Sequence, residues 1–210
     1  MLKSFKVSLL GCLMLLVGGC SNNPVAYNPL DDFEQLDPTT IFALPEAVPS
    51  SNYTPEQLQR GRYMVGLLGC GSCHTDGALV GAANQSRLLA GSGTGIAYTS
   101  PFVDTFPGIV YPPNLTPDME TGLGSWTMNR LVQMIRVGTS DHSSRSIPVM
   151  PWPAFVSITE EDAFAIGAYL KSLTPVRHQV PANVSRGQRA SAPFVHFGVY
   201  QSRWVSKSGR

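Results

Sequence analysis

The apolar residues of this chain form one continuous run near its start and three helical repeats farther on. The run covers residues 7–17 and follows the basic residues Lys3 and Lys6. It is too short to cross a bilayer, which takes about 20 apolar residues, and polar residues follow it at once. Positive, apolar and small residues in that order predict a secretory signal peptide over residues 1–19.

The helical repeats predict three short helices. The first lies between a Thr-Pro-Glu-Gln start at Thr54 and a glycine stop at Gly69. The second covers residues 126–137, and the third starts after Thr159 and ends before Pro175. The positions predicted to face the core are Leu58, Gly61, Val65 and Leu68 in the first helix, Met128, Leu131 and Ile135 in the second, and Ala163, Ile166, Gly167 and Leu170 in the third.

Three other segments lack a helical or strand period. Residues 21–54 hold five prolines, five acidic residues and no basic residue, which predicts an extended acidic tether. About fifty residues between the first two helices are rich in Gly, Pro, Ser and Thr, and so long a loop argues against a compact domain unless a cofactor supplies part of the core. Residues 177–210 carry six basic residues and no acidic one. We expect this tail to be either a solvated, partly disordered end or an arm that docks to an acidic partner or an anionic lipid.

These segments define the predicted domain organisation: a signal peptide over 1–19, a tether over 20–53, one globular domain over 54–176 and a basic tail over 177–210. A chain of 210 residues has room for one ordinary domain with extensions. Its 15 basic and 14 acidic residues give a net charge of +1. That balance argues against nucleic acid as a partner bound by bulk charge.

The sequence Cys70-Gly71-Ser72-Cys73-His74 has the spacing of a c-type haem attachment site. Two thiols separated by two residues can add to the two vinyl groups of one porphyrin, and the histidine that follows then lies beneath the ring. We therefore predict one covalent haem c, attached through Cys70 and Cys73, with His74 as an axial ligand of the iron.

Three other kinds of site use similar residues. A zinc site needs four ligands, and the sequence has no second Cys-x-x-Cys pair. A thioredoxin-like redox pair needs a surrounding βαβ pattern, which is absent from the sequence. A structural disulfide suits an exported protein but leaves His74 and the missing core unexplained. Haem attachment is the interpretation that accounts for all of these features.

The second axial ligand is predicted to be Met150. It lies in an apolar loop with Pro148, Pro151 and Pro153, and proline fixes a backbone that can hold a thioether toward the iron. A thioether ligand raises the reduction potential and is typical of electron-transfer haems. His142 is the second candidate, whereas the methionines within the helical repeats are expected to pack in the core.

From Thr54 to Val176 the chain resembles a class I cytochrome c domain, and it is similar to the cytochrome c modules of bacterial periplasmic dehydrogenases. The stretches that carry this resemblance are Gly61-Arg62-Tyr63, residues 113–126, Met150-Pro151-Trp152 and residues 165–173. The resemblance implies an all-α, cytochrome c-like fold, with a few short helices and long loops around the haem. It also implies a helix crossing at which Gly61 meets Tyr169.

The same resemblance implies that Asn114 and Trp126 line the haem, with a purely structural role as the alternative for Trp126. It implies a one-electron carrier whose partners are redox proteins: a donor dehydrogenase and an acceptor oxidase or cytochrome. Because His74 and Met150 would fill both axial positions of the iron, we predict no enzymatic activity. Two alternatives stay open: a haem enzyme or sensor with a labile sixth position for peroxide or a gas, and the cytochrome subunit of a larger dehydrogenase complex.

The end of the signal peptide, Val17-Gly18-Gly19-Cys20, resembles the bacterial lipobox, in which the cysteine receives diacylglycerol. It predicts a periplasmic protein that is anchored to a membrane through Cys20. Ser21 in place of an aspartate favours the outer membrane. The alternative is an ordinary signal peptide with a coincidental cysteine. Cys12 lies in the removed segment, so the four cysteines are assigned one to the signal, one to the lipid and two to the haem.

Overall fold

The computed structural model of the protein describes residues 43–99, 108–137 and 149–198. The predictions for the signal peptide, for Cys20, for His142 and for the end of the basic tail lie outside these residues. Within them, the chain forms five α-helices, two short 3₁₀ turns and three strands. The helices are α1 (Pro55–Leu67), α2 (Cys70–His74), α3 (Met128–Val137), α4 (Trp152–Phe155) and α5 (Glu160–Lys171).

Both long terminal helices start as their sequences predict. At α1, the Thr54 side chain accepts a hydrogen bond from the Gln57 N–H, and the Gln57 side chain accepts one from the Thr54 N–H. This reciprocal pair satisfies two of the backbone donors that a helix start leaves free. At α5, the Thr159 side chain accepts from the Asp162 N–H. The three predicted helices are therefore confirmed, although α3 begins at Met128 rather than at residue 126.

The core lies where α1, α3 and α5 meet. Val65 of α1, Leu131 of α3 and Ile166 of α5 are buried in one hydrophobic cluster. At the crossing of α1 and α5, a β-carbon added to Gly61 would lie 2.7 Å from the Tyr169 Cβ, and Tyr169 is fully buried. The predicted contact between Gly61 and Tyr169 is confirmed, and it brings the two helix backbones unusually close.

A small sheet accompanies the helices. Strand β1 (Gly95–Thr99) lies between β2 (Ile109–Val110), which is antiparallel to it, and β3 (Phe194–Gly198), which is parallel to it. The all-α class is therefore not confirmed, because the described residues combine helices with strands. The strands are short, and β1 pairs with a strand from the predicted tail. No local sequence period therefore predicts them.

Two segments outside the predicted domain contact it. In the first, residues 43–53, the Pro45 carbonyl accepts a hydrogen bond from the Tyr169 hydroxyl at 2.6 Å. The Val48 N–H donates to the Ser172 carbonyl at 2.7 Å. The second segment, residues 176–198, begins at the last residue of the predicted domain and ends in β3, and we call it the C-terminal strap. None of the helices in the described part of the chain has the length and apolar content needed to span a bilayer.

Candidate haem site

An apolar cavity lies beside α2 and is lined by residues of α3, α4, α5 and the loop that follows β2. Side chains from elements far apart in the sequence meet in its wall. The residues that line it are Leu68, Gly69, Cys70, Cys73, His74, Ile96, Val110, Pro112, Pro113, Leu115, Leu131, Met134, Ile135, Val149, Met150, Pro151, Phe155, Ile166 and Leu170. The cavity therefore brings together four of the predicted site residues: Cys70, Cys73, His74 and Met150.

The two cysteines reach the cavity from one helical turn. Gly69 has a φ of +66°, a conformation that glycine adopts without steric cost, and this residue separates α1 from α2. In α2, Cys70 and Cys73 occupy positions i and i+3, which share a helix face. Both are free thiols rather than a disulfide. The structure thus gives the spacing of the motif a local cause: one tight turn followed by one turn of helix.

Burial keeps both thiols protonated. Removal from water raises the pKa of Cys70 to about 11, and it also raises the pKa of Cys73. Redox-active cysteine pairs have lowered pKa values, because the thiolate is their reactive form. The pair therefore lacks the electrostatic environment of a thioredoxin-like dithiol.

His74 is held by the backbone around it. Its Nδ1 donates a hydrogen bond to the Pro113 carbonyl at 2.8 Å, and the side chain is only 6% exposed. The His74 carbonyl accepts from the Gly91 N–H at 2.8 Å, and the Thr75 hydroxyl accepts from the Leu89 N–H. Burial lowers the pKa of His74, against the opposing effect of the Pro113 hydrogen bond. The imidazole is therefore neutral, and with Nδ1 occupied, Nε2 is the nitrogen that remains for a metal.

Among the described methionines, Met134 and Met150 line the cavity. Met150 is half-buried in the loop before α4, as the sequence predicts, whereas Met134 is buried on α3. Met134 lies in a helical repeat, for which the sequence favours core packing over iron ligation. Met64 belongs to the buried core cluster, and Met119 is 67% exposed. Two methionine side chains, those of Met134 and Met150, therefore line the same cavity.

Asn114 lies outside the cavity lining that the described residues form. Its side chain is buried, and its amide donates to the Thr121 hydroxyl at 3.0 Å and to the Val176 carbonyl at 2.7 Å. Its carbonyl oxygen accepts from the Thr116 N–H and from the Thr116 hydroxyl. Asn114 therefore links its loop to the C-terminal strap, a role different from the predicted contact with the haem.

Trp126 also lies outside this lining and packs, partly buried, against the core cluster. The guanidinium of Arg130 lies over its ring, 3.9 Å from the centroid. Beside it, the Lys171 ammonium donates to the backbone carbonyls of Leu123, Gly124 and Trp126 at 2.8–2.9 Å. The described contacts of Trp126 are those of a structural aromatic residue.

The described residues fit a c-type haem better than a zinc ion. Within the described ranges, no three His, Cys, Asp or Glu side chains are placed to hold one metal ion. His178, another imidazole, donates from Nδ1 to the Ala90 carbonyl at 2.8 Å, and its Nε2 lies 3.3 Å from the Arg87 guanidinium. A haem needs instead a large apolar wall, two thiols on one helical turn and an imidazole with one nitrogen held. The cavity supplies all three.

Comparison with known proteins points to the same group. No protein-family model matches the chain. It is 35% identical over 158 residues to a subunit of the nicotinate dehydrogenase of Pseudomonas putida. It is 31% identical over 133 residues to the fructose dehydrogenase cytochrome subunit of Gluconobacter japonicus, and 30% identical over 119 residues to a dihaem cytochrome c of Cereibacter sphaeroides. These similarities support a c-type cytochrome module in this chain.

The alignments cover only part of each relative, and this limits which properties can be inferred for this chain. The three alignments cover 71%, 63% and 57% of this chain, but only 12%, 24% and 37% of the relatives. The chain therefore spans less than two fifths of the length of the relatives it matches. They support a cytochrome c-like helical fold for the module, while the relatives' own substrates and assemblies belong to those proteins.

Sequence reasoning missed two features of the cytochrome module. One is the carbonyl of Pro113, which orients His74. A backbone carbonyl is present at every residue, so the residue type does not indicate this role. The adjacent prolines at 112 and 113 were the available signal, because they stiffen the segment that carries the acceptor. The other is Met134, whose helical repeat predicted burial without distinguishing a core from a cavity wall.

Proposed function

We propose that this protein is a one-electron carrier with a single haem c, attached through Cys70 and Cys73 and ligated by His74 and Met150. The observation that supports this proposal is the shared cavity, which gathers two free thiols, a neutral buried imidazole and a thioether. When bound, the haem supplies an iron that gains and loses one electron.

The chain's own residues would hold and tune this group. Pro113 keeps the His74 imidazole in one tautomer and one orientation, which raises the basicity of its free nitrogen. Apolar side chains such as Leu131, Ile166 and Leu170 form a low-dielectric wall. Such a wall keeps water from the ring and favours the less charged, reduced state.

Two occupied axial positions would make the protein a carrier rather than an enzyme. An open sixth position would instead bind a gas or peroxide, as in a sensor or a peroxidase. The position of Met150 in the cavity wall favours the carrier. A low-spin spectrum with the long-wavelength band of thioether ligation, together with slow binding of carbon monoxide to the reduced protein, is the expected result. A high-spin spectrum with rapid binding would contradict it.

The donor is proposed to be a dehydrogenase. The relatives are named as subunits of nicotinate and fructose dehydrogenases, among other dehydrogenases, and this supports either a free carrier for such an enzyme or its cytochrome subunit. We further propose export to the periplasm and a lipid anchor at Cys20, with the outer membrane favoured. The signal pattern over residues 1–19 supports this part of the proposal.

Covalent attachment is the direct test. The full chain is produced in a bacterial host that matures c-type cytochromes, and haem is detected on the denatured protein by its absorption and by intact mass. Cys73→Ala is expected to lose one of the two thioether bonds, which changes the absorption of the haem in alkaline pyridine. Ser72→Ala, a neighbour within the same motif, is the matched control and is expected to match the parent. A parent protein that carries no haem would refute the proposed function.

A further inference from the structure

The segment that holds His74 has two faces. Residues 109–116 run from β2 past Pro113, and four of them face the cavity: Val110, Pro112, Pro113 and Leu115. The others, including Tyr111 and Asn114, make hydrogen bonds to the C-terminal strap. The segment is therefore a wall between the haem cavity and the strap.

On the N-terminal side of Pro113, the strap forms hydrogen bonds to the segment at Ile109 and Tyr111. Ile109 and Val184 exchange two backbone hydrogen bonds of 2.9 and 2.8 Å. The Asn183 side-chain oxygen accepts from the Tyr111 N–H at 2.8 Å, and the Tyr111 hydroxyl donates to the Ala192 carbonyl at 3.0 Å. Tyr111 is thus bonded to the strap at both its backbone and its side chain.

On the C-terminal side of Pro113, the strap is hydrogen-bonded to Asn114. Its amide donates to the Val176 carbonyl at 2.7 Å, and its buried side chain makes three further hydrogen bonds within the loop. The strap also lies against the neighbouring turn, since a β-carbon on Gly91 would come within 2.6 Å of a methyl carbon of Val180. Both neighbours of the Pro112-Pro113 pair are therefore fixed by the strap.

The proline pair depends on these neighbours. Proline has no N–H, so neither Pro112 nor Pro113 can donate a backbone hydrogen bond. Their carbonyls are both acceptors, Pro112 from the Ser92 N–H at 3.0 Å and Pro113 from His74. The residues on either side of the pair, Tyr111 and Asn114, are both hydrogen-bonded to the strap. The next residue, Leu115, is held independently of the strap, because its N–H donates to the Leu89 carbonyl at 2.8 Å.

We infer that the C-terminal strap, acting through Asn183 and Tyr111, positions the Pro113 carbonyl behind His74 and thereby tunes the reduction potential of the haem. This inference rests on the proposed haem ligation. A well-placed acceptor at Nδ1 makes the imidazole a stronger donor to the oxidised iron. Loosening the strap weakens that hydrogen bond and is expected to raise the potential.

Asn183→Leu tests whether the strap positions the Pro113 carbonyl, because it removes the acceptor for the Tyr111 N–H without changing the charge of the protein. Gln188→Leu is the matched control, since Gln188 is an exposed strap residue whose backbone N–H bonds only to Ser185 in the described contacts. Two quantities are measured on the haem-loaded protein: the reduction potential, and the solvent exchange rate of the His74 Nδ1 proton by NMR in the reduced state. We expect a higher potential and about fivefold faster exchange in Asn183→Leu, as the loss of one hydrogen bond predicts, and parent values in Gln188→Leu.

Other outcomes separate the possibilities. A lower unfolding free energy with an unchanged potential and exchange rate would show a purely structural strap and overturn the inference, while the haem proposal would stand. If Asn183→Leu does not fold, Tyr111→Phe breaks only the bond to Ala192 and is expected to move both quantities in the same direction. Asn183→Asp keeps the acceptor and is expected to keep the parent exchange rate. A parent without covalent haem would refute the proposed function and this inference with it.

Discussion

A β-carbon at Gly61 would stand 2.0 Å from the carbonyl oxygen of Ala165. The backbones of α1 and α5 therefore touch at this point, and no rotamer change can relieve an added methyl group. This contact fixes the angle at which the two terminal helices cross, and α5 in turn carries Ile166 and Leu170 into the cavity wall. The geometry of the site thus depends on a glycine that is not itself part of the cavity lining.

Gly61→Ala is expected to destabilise the protein by about 3 kcal/mol, because the backbones must separate to admit the methyl group. Gly66→Ala is the matched control in the same helix. Its β-carbon would meet only a methyl carbon of Leu44, at 3.3 Å, and the gain in helix propensity of up to about 1 kcal/mol offsets that contact. Urea unfolding measures both free energies. Equal stability of the two variants would show that the crossing is not tight.

The two methionines of the cavity wall can be separated by substitution. Met150→Ala is expected to abolish the long-wavelength band of thioether ligation, to lower the reduction potential and to speed carbon monoxide binding. Met134→Leu keeps the volume of the side chain and is expected to change the ligand spectrum little, at a cost below about 1.5 kcal/mol in stability. If Met134→Leu abolished the band and Met150→Ala left it unchanged, Met134 would be the axial ligand and our assignment of Met150 would be wrong.

Lys171 organises the loop that leads to α3. Lys171→Met leaves the carbonyls of Leu123, Gly124 and Trp126 without their donor, and we expect a loss of about 2–3 kcal/mol in unfolding free energy. Arg130→Met removes a cation from the exposed face of Trp126 and serves as the control, with an expected loss below about 1 kcal/mol. Similar losses in both variants would argue against a special role for Lys171.

Acid is expected to weaken the link between α1 and α5. The Arg60 side chain hydrogen-bonds to Asp162 and lowers the pKa of that carboxyl below its ordinary value of about 3.9. The stabilisation is therefore present above about pH 4 and is lost as the pH falls through the lowered pKa. Because the pair is partly exposed, its contribution is below about 1 kcal/mol.

Asp162→Asn measures this contribution. The difference in unfolding free energy between the parent and Asp162→Asn is expected to shrink as the pH falls from about 5 to about 3, and to stay constant above that range. A difference that does not depend on pH would assign the effect to the helix start at Thr159 rather than to the ion pair.

Local rules in the sequence predicted the parts of the fold that depend on near neighbours. The capping pair of Thr54 and Gln57, the glycine that ends α1 and the apolar repeat of α5 each involve residues within one or two turns. The cysteines and His74 belong to the same class, because one turn of helix brings them together. These features needed no information about distant parts of the chain.

The rest depends on contacts between distant residues. β1 pairs with β3 across about a hundred residues, and His74 is oriented by a carbonyl rather than by a side chain. Asn114 was expected at the haem from family resemblance, but its four hydrogen bonds are directed at the loop and the strap. Composition and periodicity do not predict which strands pair, since the sequence of a strand would be equally compatible with another partner.

The docking of residues 43–53 on α1 and α5 changes how far an anchored carrier can travel. With a lipid at Cys20, as proposed, the tether that remains before Leu44 has at most residues 20–43, rather than the 34 residues of 20–53. Fully extended, the shorter length reaches about 80 Å instead of about 115 Å. Because effective concentration falls with about the −3/2 power of linker length, docking of this segment would raise the carrier's local concentration at a membrane-bound partner to about 1.7 times the value for an undocked tether. Pro45 and Val48 would then influence how often the carrier meets its partner, without touching either the haem or the partner.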